Sequence, residues 1–261
     1  MKINKELLTS YINNKIIVYD EITSTNDIAK ELCRKEESEG TIIIANKQTK
    51  GKGRQGRQFF SSSENGLYFT LILRPKIMPQ DCTQITVLAA TSVACAIEKT
   101  TKKHPSIKWV NDIILDDRKI CGILTEAGFS SSGKALDYVV LGIGINISKP
   151  NDGFPPEIES IAGAIFEDSA PQGYCEKLLA EIIKSFYKYY FALDKKEYMK
   201  EYIEKSSIIG KDVDVYIGSN VISGVAANID DDAHLVVRDE NGNIHTFGSG
   251  EARVRKSGEK I

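Results

Sequence analysis

The sequence predicts an α+β protein, in which a mixed or antiparallel sheet with helices is followed by a small β-barrel. Up to about residue 206, short apolar runs of strand length alternate with longer segments of helical periodicity. Beyond Ile209, only short alternating runs separated by turn residues remain. The length of 261 residues suits one large domain with an appendage, which we place at residues 1–208 and 209–261.

The first half of the chain supplies most of the predicted sheet. Ser24 or Thr25 is a suitable N-cap for the first helix, since its side-chain oxygen can accept a hydrogen bond from a free backbone N–H. Pro75 ends a strand because proline cannot donate to a sheet ladder. The predicted strands are 16–19, 41–45, 67–73, 107–110, 113–115 and 119–126, and the predicted helices are 27–35 and 83–100.

The second half begins with a strand that contains glycines. Gly142 and Gly144 indicate either a close approach of backbone or ligand, or a β-bulge. Apolar residues at helical spacing between residues 173 and 206 predict two amphipathic helices that pack on the core. A small barrel is then expected from short alternating strands. The predicted strands of this half are 138–147, 213–217, 221–229, 234–238 and 244–247.

Composition and charge exclude several classes of function. The 34 basic and 36 acidic residues give a net charge of -2, which argues against a protein that mainly coats nucleic acid or a membrane. No apolar run reaches the ~18–20 residues of a membrane span, and residues 1–15 lack the apolar core of a signal peptide. The five cysteines and three histidines show no disulfide or metal-ligand spacing. We therefore expect a cytoplasmic protein that holds no metal in a cage of its own side chains.

The segment 48–57, called the basic loop below, carries the strongest chemical signal. It contains G-x-G-x-x-G but leads into another strand instead of a helix, which argues against a dinucleotide-binding turn. Arg57 and Gln58 follow Gly56 where a Walker loop would need Lys and Ser or Thr. No acidic residue occurs in residues 46–63, and the cations suit phosphate or carboxylate oxygens. A solvated basic loop explains the same residues equally well.

Five segments together resemble the biotin–protein ligase family, and they occur in its order. Ser24–Asn26 is similar to its S-T-N element, and Gln48–Arg57 to Q-x-x-G-R-G-R-x-G-R. Lys108–Asp112 resembles K-W-P-N-D, Lys119–Glu126 resembles K-x-x-G-I-L-x-E, and Gly142–Asn146 resembles G-x-G-x-N. Five ordered motifs are far more specific than any one of them.

The resemblance implies a fold, a reaction and partners. The fold would be the mixed-sheet catalytic domain of the class II aminoacyl-tRNA synthetase and biotin ligase type, with an SH3-like C-terminal domain. The reaction would activate biotin with ATP and Mg²⁺ to biotinyl-5′-AMP. The biotinyl group would then pass to a lysine of a biotin carboxyl carrier protein, such as a subunit of acetyl-CoA carboxylase. A homodimer formed through an edge strand is possible, and neither DNA nor membrane binding is expected.

The resemblance also implies roles for individual residues. Polar groups of Ser24, Thr25 and Gln48 would bind the ureido ring of biotin. Residues 51–53 would lie along the biotin tail and its carboxylate, and Arg54 would hold the α-phosphate of ATP. Lys119 would neutralise charge between the carboxylate and that phosphate. Trp109 would either stack in the site or simply belong to the core. The complete set of implied binding residues is Ser24, Thr25, Asn26, Gln48, Gly51, Lys52, Gly53, Arg54, Trp109, Asn111, Lys119, Gly122 and Asn146.

The sequence departs from the family pattern at several positions. Lys52 replaces the first loop arginine, which keeps the charge but loses the two-pronged guanidinium. Phe59 stands where tryptophan is usual, Val110 replaces a proline, and Lys50 stands where a small residue is usual. These changes affect individual contacts without removing a required charge.

Three alternatives to a biotin ligase remain. A lipoate or octanoate ligase would share the fold and reaction, although that group carries an R-R-x-G-G-G type of loop. A DNA-binding regulator would need a winged domain of ~60 residues, and only 23 residues precede Ser24. A non-catalytic sensor of biotin or nucleotide would have no need to retain both Arg54 and Lys119.

Overall fold

The computed structural model describes residues 2–61, 65–130 and 135–255, and the predicted turn at 61–66 lies partly outside them. The helices in this part of the chain are α1 (Lys5–Thr9), α2 (Thr25–Cys33), α3 (Cys82–Thr101), α4 (Tyr174–Tyr190) and α5 (Tyr198–Glu204). The strands of the first sheet are β1 (Ile16–Ile22), β2 (Ile42–Gln48), β3 (Gly66–Leu73), β4 (Ser106–Lys108), β5 (Asp112–Leu115), β6 (Arg118–Phe129) and β7 (Leu136–Asn146).

The first sheet is mixed, as predicted. Its strand order is β1-β2-β3-β7-β6-β5-β4, and β1 and β2 pair in parallel while the other neighbours are antiparallel. Side chains alternate between the two faces of each strand. On β7, Val139 and Leu141 therefore face the main core, while Val140 faces a second apolar cluster.

Helices cover the sheet unequally on its two faces. Helices α3, α4 and α5 contribute to the main core on one face. Helix α3 is buried almost all round, as its apolar composition predicts, and the hydroxyl of Thr91 donates to the Val87 carbonyl inside it. Of the helices within the described residues, α2 alone contributes to the apolar cluster on the other face, through Ala29 and Cys33. The space beside the N-terminus of α2 is therefore available for a pocket.

The remaining strands form a second sheet. They are β8 (Asp212–Ile217), β9 (Asn220–Ile229), β10 (Leu235–Arg238), β11 (Ile244–Phe247) and β12 (Glu251–Val254). Their order is β11-β10-β9-β8-β12, and all neighbours are antiparallel. The two sheets meet where the Trp109 indole N–H donates to the Ala233 carbonyl at 2.9 Å. The proposed domain boundary near residue 208 stays a prediction, because Ile208 lies in a core shared by both sheets.

Several elements differ from the prediction at their ends. Helix α2 begins at Thr25 instead of residue 27, and β2 runs on to Gln48, which places that side chain on a rigid strand. The short helix α1 and strand β12 were not predicted. No helix in the described part of the chain is long and apolar enough to cross a membrane.

Candidate active site

A pocket lies between the N-terminus of α2 and the exposed face of β6 and β7. Its lining comes from four segments that are far apart in the sequence, and the basic loop contributes Gln48 and Lys52. Its lining residues are Ser24, Thr25, Asn26, Gln48, Lys52, Phe59, Gly122, Leu124, Gly142, Ile143 and Gly144. This cavity, called the head pocket below, contains six of the thirteen residues that the resemblance implied.

Polar side chains, buried except for the half-buried Gln48, form one end of the head pocket. Gln48 Oε1 accepts from the Thr25 backbone N–H at 2.8 Å, and Gln48 Nε2 donates to Ser61 Oγ at 2.9 Å. Asn26 Nδ2 donates to Glu126 Oε2 at 2.8 Å, so its carboxamide also has a fixed orientation. Thr70 links the two groups, since its hydroxyl oxygen lies 2.8 Å from Thr25 Oγ1 and 2.6 Å from Asn26 Oδ1.

Ser24 occupies the N-cap position of α2 without acting as a side-chain cap. Its backbone is extended, with φ -158° and ψ 137°, but its hydroxyl makes no capping hydrogen bond. The side chain is 2% exposed and borders the head pocket. A buried hydroxyl without a capping role is available to a ligand.

The floor of the head pocket is made of glycines on adjacent strands. Gly122 and Gly144 are paired across β6 and β7, and the register continues unbroken through Gly142. The bulge interpretation of these glycines is therefore wrong. A Cβ atom at Gly142 would lie 2.2 Å from Asn26 Oδ1, and one at Gly144 would lie 2.6 Å from Phe59 Cε1. Glycine is required because side chains approach the strand backbone this closely.

Phe59 lies inside the head pocket, although the sequence argument treated it only as a departure from the family pattern. Its ring covers Gly122 and Gly144 and packs edge-on against Tyr68, with ring centroids 6.4 Å apart. Its backbone N–H donates to the Gly51 carbonyl at 3.0 Å, which ties the end of the basic loop to its beginning. An aromatic ring is thus placed beside the polar end of the pocket.

The first cation of the basic loop reaches the mouth of the pocket. Lys52 Nζ lies 2.5 Å from Asp27 Oδ1 in the first turn of α2. Lys30 Nζ bridges Asp27 at 3.1 Å and Glu126 at 2.9 Å, which continues the network to the carboxylate that binds Asn26. Burial raises the pKa of Asp27, but the hydrogen bonds from Lys52 and Lys30 outweigh it and leave that pKa below its usual value. The carboxylate therefore stays ionised and holds both ammonium groups.

Two further cations are held by the consecutive residues Asn111 and Asp112. Arg54 Nη1 donates to Asn111 Oδ1 at 3.0 Å, and Lys119 Nζ lies 2.6 Å from Asp112 Oδ1. Lys119 borders the head pocket, because its Cε lies 3.3 Å from the position of a Cβ at Gly122. These two contacts join Arg54 of the basic loop and Lys119 of β6 to the start of β5, beside the head pocket.

The second sheet reaches the basic loop through the start of β12. Arg57 forms an ion pair with Glu251, and Arg54 Nη2 donates to the Gly250 carbonyl at 3.4 Å. The hydrogen bond from Arg57 lowers the pKa of Glu251 to about 2. Since β12 was not predicted, this contact could not be foreseen from local sequence patterns.

Some implied binding residues lie outside the pocket lining. The Trp109 side chain is 3% exposed within the core, and its N–H is occupied by Ala233, so the geometry favours the core role over stacking in the site. Asn146 Nδ2 donates to the Gly163 carbonyl at 2.8 Å and holds the segment after β7. Gly53 stabilises the loop itself, because its N–H donates to the Arg57 carbonyl at 2.7 Å.

Sequence reasoning also missed several residues of the site. Asp27 and Glu126 stand within or beside the motifs, but only the structure shows that they bind Lys52 and Asn26. Ser61 and Thr70 belong to no motif. Alternation along β3 could have placed Thr70 on the same face as Tyr68, but not against α2.

No group of three or more His, Cys, Asp or Glu side chains within residues 2–61, 65–130 and 135–255 could hold a metal ion. The site instead joins a neutral hydrogen-bonding pocket to lysine and arginine side chains at its mouth. Such a site suits a ligand with a neutral polar head and an anionic end, next to phosphate groups. The fold and site thus define a protein that binds a small acid beside a nucleotide.

Comparisons with known proteins agree with this class. A model of the Biotin/lipoate A/B protein ligase family matches residues 18–146. The bifunctional ligase/repressor BirA of Bacillus spizizenii is 33% identical over 244 residues, which cover 90% of this chain and 73% of that protein. The biotin–[acetyl-CoA-carboxylase] ligase of Paracoccus denitrificans is 26% identical over 211 residues, which cover 75% of this chain and 83% of that protein.

A solved structure supports the same relationship. The biotin protein ligase from Aquifex aeolicus in complex with biotin and ATP superposes with a TM-score of 0.75 at 30% identity, covering 93% of this chain and 99% of that one. The chain therefore belongs to the biotin/lipoate protein ligase family.

Proposed function

We propose that this protein is an ATP-dependent biotin–protein ligase. It activates biotin to biotinyl-5′-AMP and transfers the biotin to a lysine of a biotin carboxyl carrier protein. One observation carries the proposal: a polar pocket lies next to a group of cations. The pocket is formed around Thr25 and Gln48, Lys52 lies at its mouth, and Lys119 and Arg54 lie beside it. The named relatives and the biotin- and ATP-bound neighbour support it.

The proposed residue roles follow the charge of each part of the substrate. The hydroxyls and amides of the head pocket bind the neutral ureido ring, because a buried ureido group needs hydrogen-bond partners. Lys52 receives the biotin carboxylate at the pocket mouth. Arg54 and Asn111 hold the α-phosphate side of ATP, and Lys119 lies between the carboxylate and that phosphate.

The first step needs positioning and charge stabilisation. A biotin carboxylate oxygen attacks the α-phosphorus of ATP in line, the bond to the bridging oxygen breaks, and pyrophosphate leaves. Negative charge accumulates on the non-bridging oxygens, where the Lys119 ammonium lies within reach once it exchanges Asp112 for the phosphate. Holding both reactants in this geometry contributes the rest of the acceleration.

The second step uses the same geometry with a new nucleophile. The amine of a carrier lysine attacks the carbonyl carbon of the mixed anhydride, an amide bond forms, and AMP leaves. Mg²⁺ is proposed to arrive with ATP, since such ions are held largely by phosphates and water. The acceptor is proposed to be the biotin carrier of acetyl-CoA carboxylase, the enzyme that the name of the Paracoccus denitrificans relative specifies.

A lipoate ligase is the nearest rival, because the matching family includes such enzymes. The polar end of the head pocket favours biotin. The dithiolane ring of lipoate has no N–H or C=O group to pair with Thr25, Gln48 and Ser24.

The decisive experiment offers biotin, lipoate and octanoate separately with Mg²⁺ and ATP, and identifies the acyl-AMP by mass spectrometry. Biotinyl-AMP alone is the expected product. Lipoyl- or octanoyl-AMP would transfer the protein to the rival activity, and no adenylate from any acid would favour a binding protein without catalytic function. Transfer of biotin to a purified carrier domain tests the second step.

Three further expectations stay predictions. A cytoplasmic location is supported by five cysteines that are all free thiols. We propose that a homodimer would form through the edge strand β1, and size-exclusion chromatography with light scattering would test it. The absence of DNA binding would be overturned by a mobility shift with a candidate operator.

A further inference from the structure

Lys30 shares a carboxylate oxygen with Lys52 at the mouth of the head pocket. Lys30 Nζ lies 3.1 Å from Asp27 Oδ1 and 2.9 Å from Glu126 Oε1. Lys52 Nζ lies 2.5 Å from the same oxygen of Asp27. Lys30 belongs to none of the motifs that predicted the site, and it is not among the lining residues of the pocket. One carboxylate oxygen therefore holds two ammonium groups, and of these two lysines only Lys52 lines the pocket.

The two lysines are held with different firmness. Lys30 stands one turn after Asp27 on α2, and its second partner, Glu126, lies on β6. Its side chain is 21% exposed, whereas that of Lys52 on the basic loop is 39% exposed. Within the described residues, Lys52 forms one ion pair, with Asp27. Because a single, partly exposed ion pair is weak, Lys52 is the ammonium group that can move to a ligand.

The charges of these four side chains balance only while no anion is bound. Lys30 and Lys52 balance Asp27 and Glu126, so a ligand carboxylate on Lys52 adds one negative charge to the group. Asp27, which is 32% exposed, must then release the Lys52 ammonium. A partly buried carboxylate without a cation is unfavourable, and it also repels the ligand carboxylate. Lys30 removes much of this cost, because it stays on Asp27 when Lys52 leaves.

We propose that Lys30 is a positioning residue that allows Asp27 to release Lys52 to the anionic end of the ligand. Since Lys30 keeps Asp27 paired, Lys52 exchanges one carboxylate for another without leaving a charge alone. The inference rests on the proposed function and deepens it, because the anion is then the biotin carboxylate. Lys30 itself does not touch the ligand.

The size of the effect follows from the competition that Lys30 prevents. Without Lys30, Asp27 and the ligand carboxylate compete for the single ammonium group of Lys52. The loss is that of an ion pair between partly exposed groups, and the upper end of its range corresponds to about a fivefold loss of affinity. An uncharged ligand of the same shape loses nothing, since it does not need Lys52.

The first experiment compares Lys30→Met with Lys30→Arg by calorimetry. The ligands are biotin and biotinamide, in which an uncharged carboxamide replaces the carboxylate. Lys30→Met should bind biotin about fivefold more weakly than the wild type, and biotinamide within about twofold of it. Lys30→Arg keeps the charge and should bind both ligands as the wild type does. Equal losses for the two ligands, or no loss for biotin, would overturn the inference.

Lys205→Met is the matched control for Lys30→Met. The Lys205 side chain is 20% exposed and pairs with the carboxylate of Glu98, and neither residue lines the head pocket. This variant removes a lysine of the same burial and the same kind of partner. It should leave the affinities for biotin and biotinamide unchanged, and a fivefold loss for biotin here would contradict a local role of Lys30.

Two double variants separate the release of Lys52 from a general change of charge. Lys30→Met/Asp27→Asn removes the competing carboxylate, so the ratio of biotin to biotinamide affinity should return to within about twofold of the wild type. Lys30→Met/Glu126→Gln has the same net charge and still offers an oxygen to Asn26 Nδ2, but Asp27 still holds Lys52. Its ratio should remain about fivefold low. Restoration by Glu126→Gln, or no restoration by Asp27→Asn, would overturn the inference.

The outcomes also separate this inference from the proposed function. Wild-type protein that forms biotinyl-AMP, together with an unchanged affinity ratio in Lys30→Met, would overturn the inference alone. Wild-type protein that neither binds biotin nor forms biotinyl-AMP would overturn both.

Asp27→Asn alone provides the test should Lys30→Met not fold. Without the competing carboxylate, its biotin affinity should equal or exceed that of the wild type. A loss of more than about twofold would overturn the inference, because Asp27 would then support biotin binding instead of competing with it.

Discussion

The head pocket and the basic loop satisfy their polar groups in different ways. In the head pocket, the buried Thr25 and the half-buried Gln48 are bound to each other, and Thr25 is bound to Thr70 on the strand β3 behind it. In the basic loop, Lys52 and Arg57 are partly exposed and paired with carboxylates on other elements. The first arrangement is rigid before any ligand arrives, whereas the second must exchange partners when it binds an anion.

We infer from this difference that the head pocket selects the substrate, whereas the cations of the basic loop stabilise charge during the reaction. A pre-oriented neutral network discriminates by shape and hydrogen-bond direction, because any mismatch leaves a buried group unpaired. Exposed cations discriminate little, but they can follow a charge that moves from carboxylate to phosphate during the reaction. Substitutions in the two regions should therefore change different kinetic constants.

Lys119→Ala is expected to give the largest effect. Removing one preorganised charge at the reacting atoms should lower kcat for biotinyl-AMP formation by about 10²–10³-fold, with biotin binding retained. The measurement is pre-steady-state adenylate formation together with calorimetric biotin affinity. Lys99→Ala is the control, since Lys99 also lies 2.6 Å from a carboxylate, that of Glu181, but on the outer side of α3. Wild-type rates in Lys119→Ala would remove this residue from the mechanism.

Gly142→Ala should break the head pocket instead. The new Cβ would lie 2.2 Å from Asn26 Oδ1, a side chain already fixed by Thr70 and Glu126. We expect biotin affinity to fall by about 5- to 160-fold, as a strained buried contact of about 1–3 kcal/mol implies.

Gly144→Ala sharpens the same comparison. Its Cβ would meet the ring of Phe59, which lies just after the basic loop on a segment outside the strands and should move away more easily than Asn26. Its loss of affinity should therefore be smaller than that of Gly142→Ala. The reverse order, measured by calorimetry, would contradict the rigid-pocket view.

Arg54→Gly tests the basic loop at its nucleotide side. Without the guanidinium that contacts Asn111, the loop should release biotinyl-AMP about tenfold faster, since one charge-assisted hydrogen bond contributes about 1.5–3 kcal/mol. Biotin affinity should change far less. Adenylate dissociation is followed by stopped-flow displacement, and Arg238→Gly, at the exposed last residue of β10, serves as control. Unchanged dissociation would count against this placement of Arg54.

Glu251→Gln should have the smallest effect. The pKa of Glu251 lies at about 2, below its usual 4.5, because Arg57 stabilises the carboxylate. This stabilisation is therefore present above about pH 4.5 and is lost as the pH falls toward 2. For a partly exposed pair we expect about 0.2–1 kcal/mol at pH 7. The Tm difference from wild type should be greatest near neutral pH and vanish near pH 2, whereas a constant difference would exclude the ion pair as its cause.

Much of the fold was accessible from the sequence because it depends on local patterns. Apolar runs of strand length and a uniformly apolar segment identified β3, β7 and α3, and their ends agree within a few residues. The prediction missed β12 because four residues between turns carry too little periodicity to stand out. Helix α2 begins earlier than predicted, since Thr25 and Asn26 are polar residues buried by tertiary contacts.

The sequence by itself determined the features from which the site was predicted: the ordered motifs, the cations of the basic loop and the glycines of β7. Only the tertiary structure decided how they are arranged. It places Thr70 behind Thr25, Phe59 over the glycine floor, Glu251 against Arg57 and Trp109 in the core. The physical reason is that hydrogen-bond direction and ion pairing depend on distances between atoms far apart in the chain, and no local pattern encodes those distances.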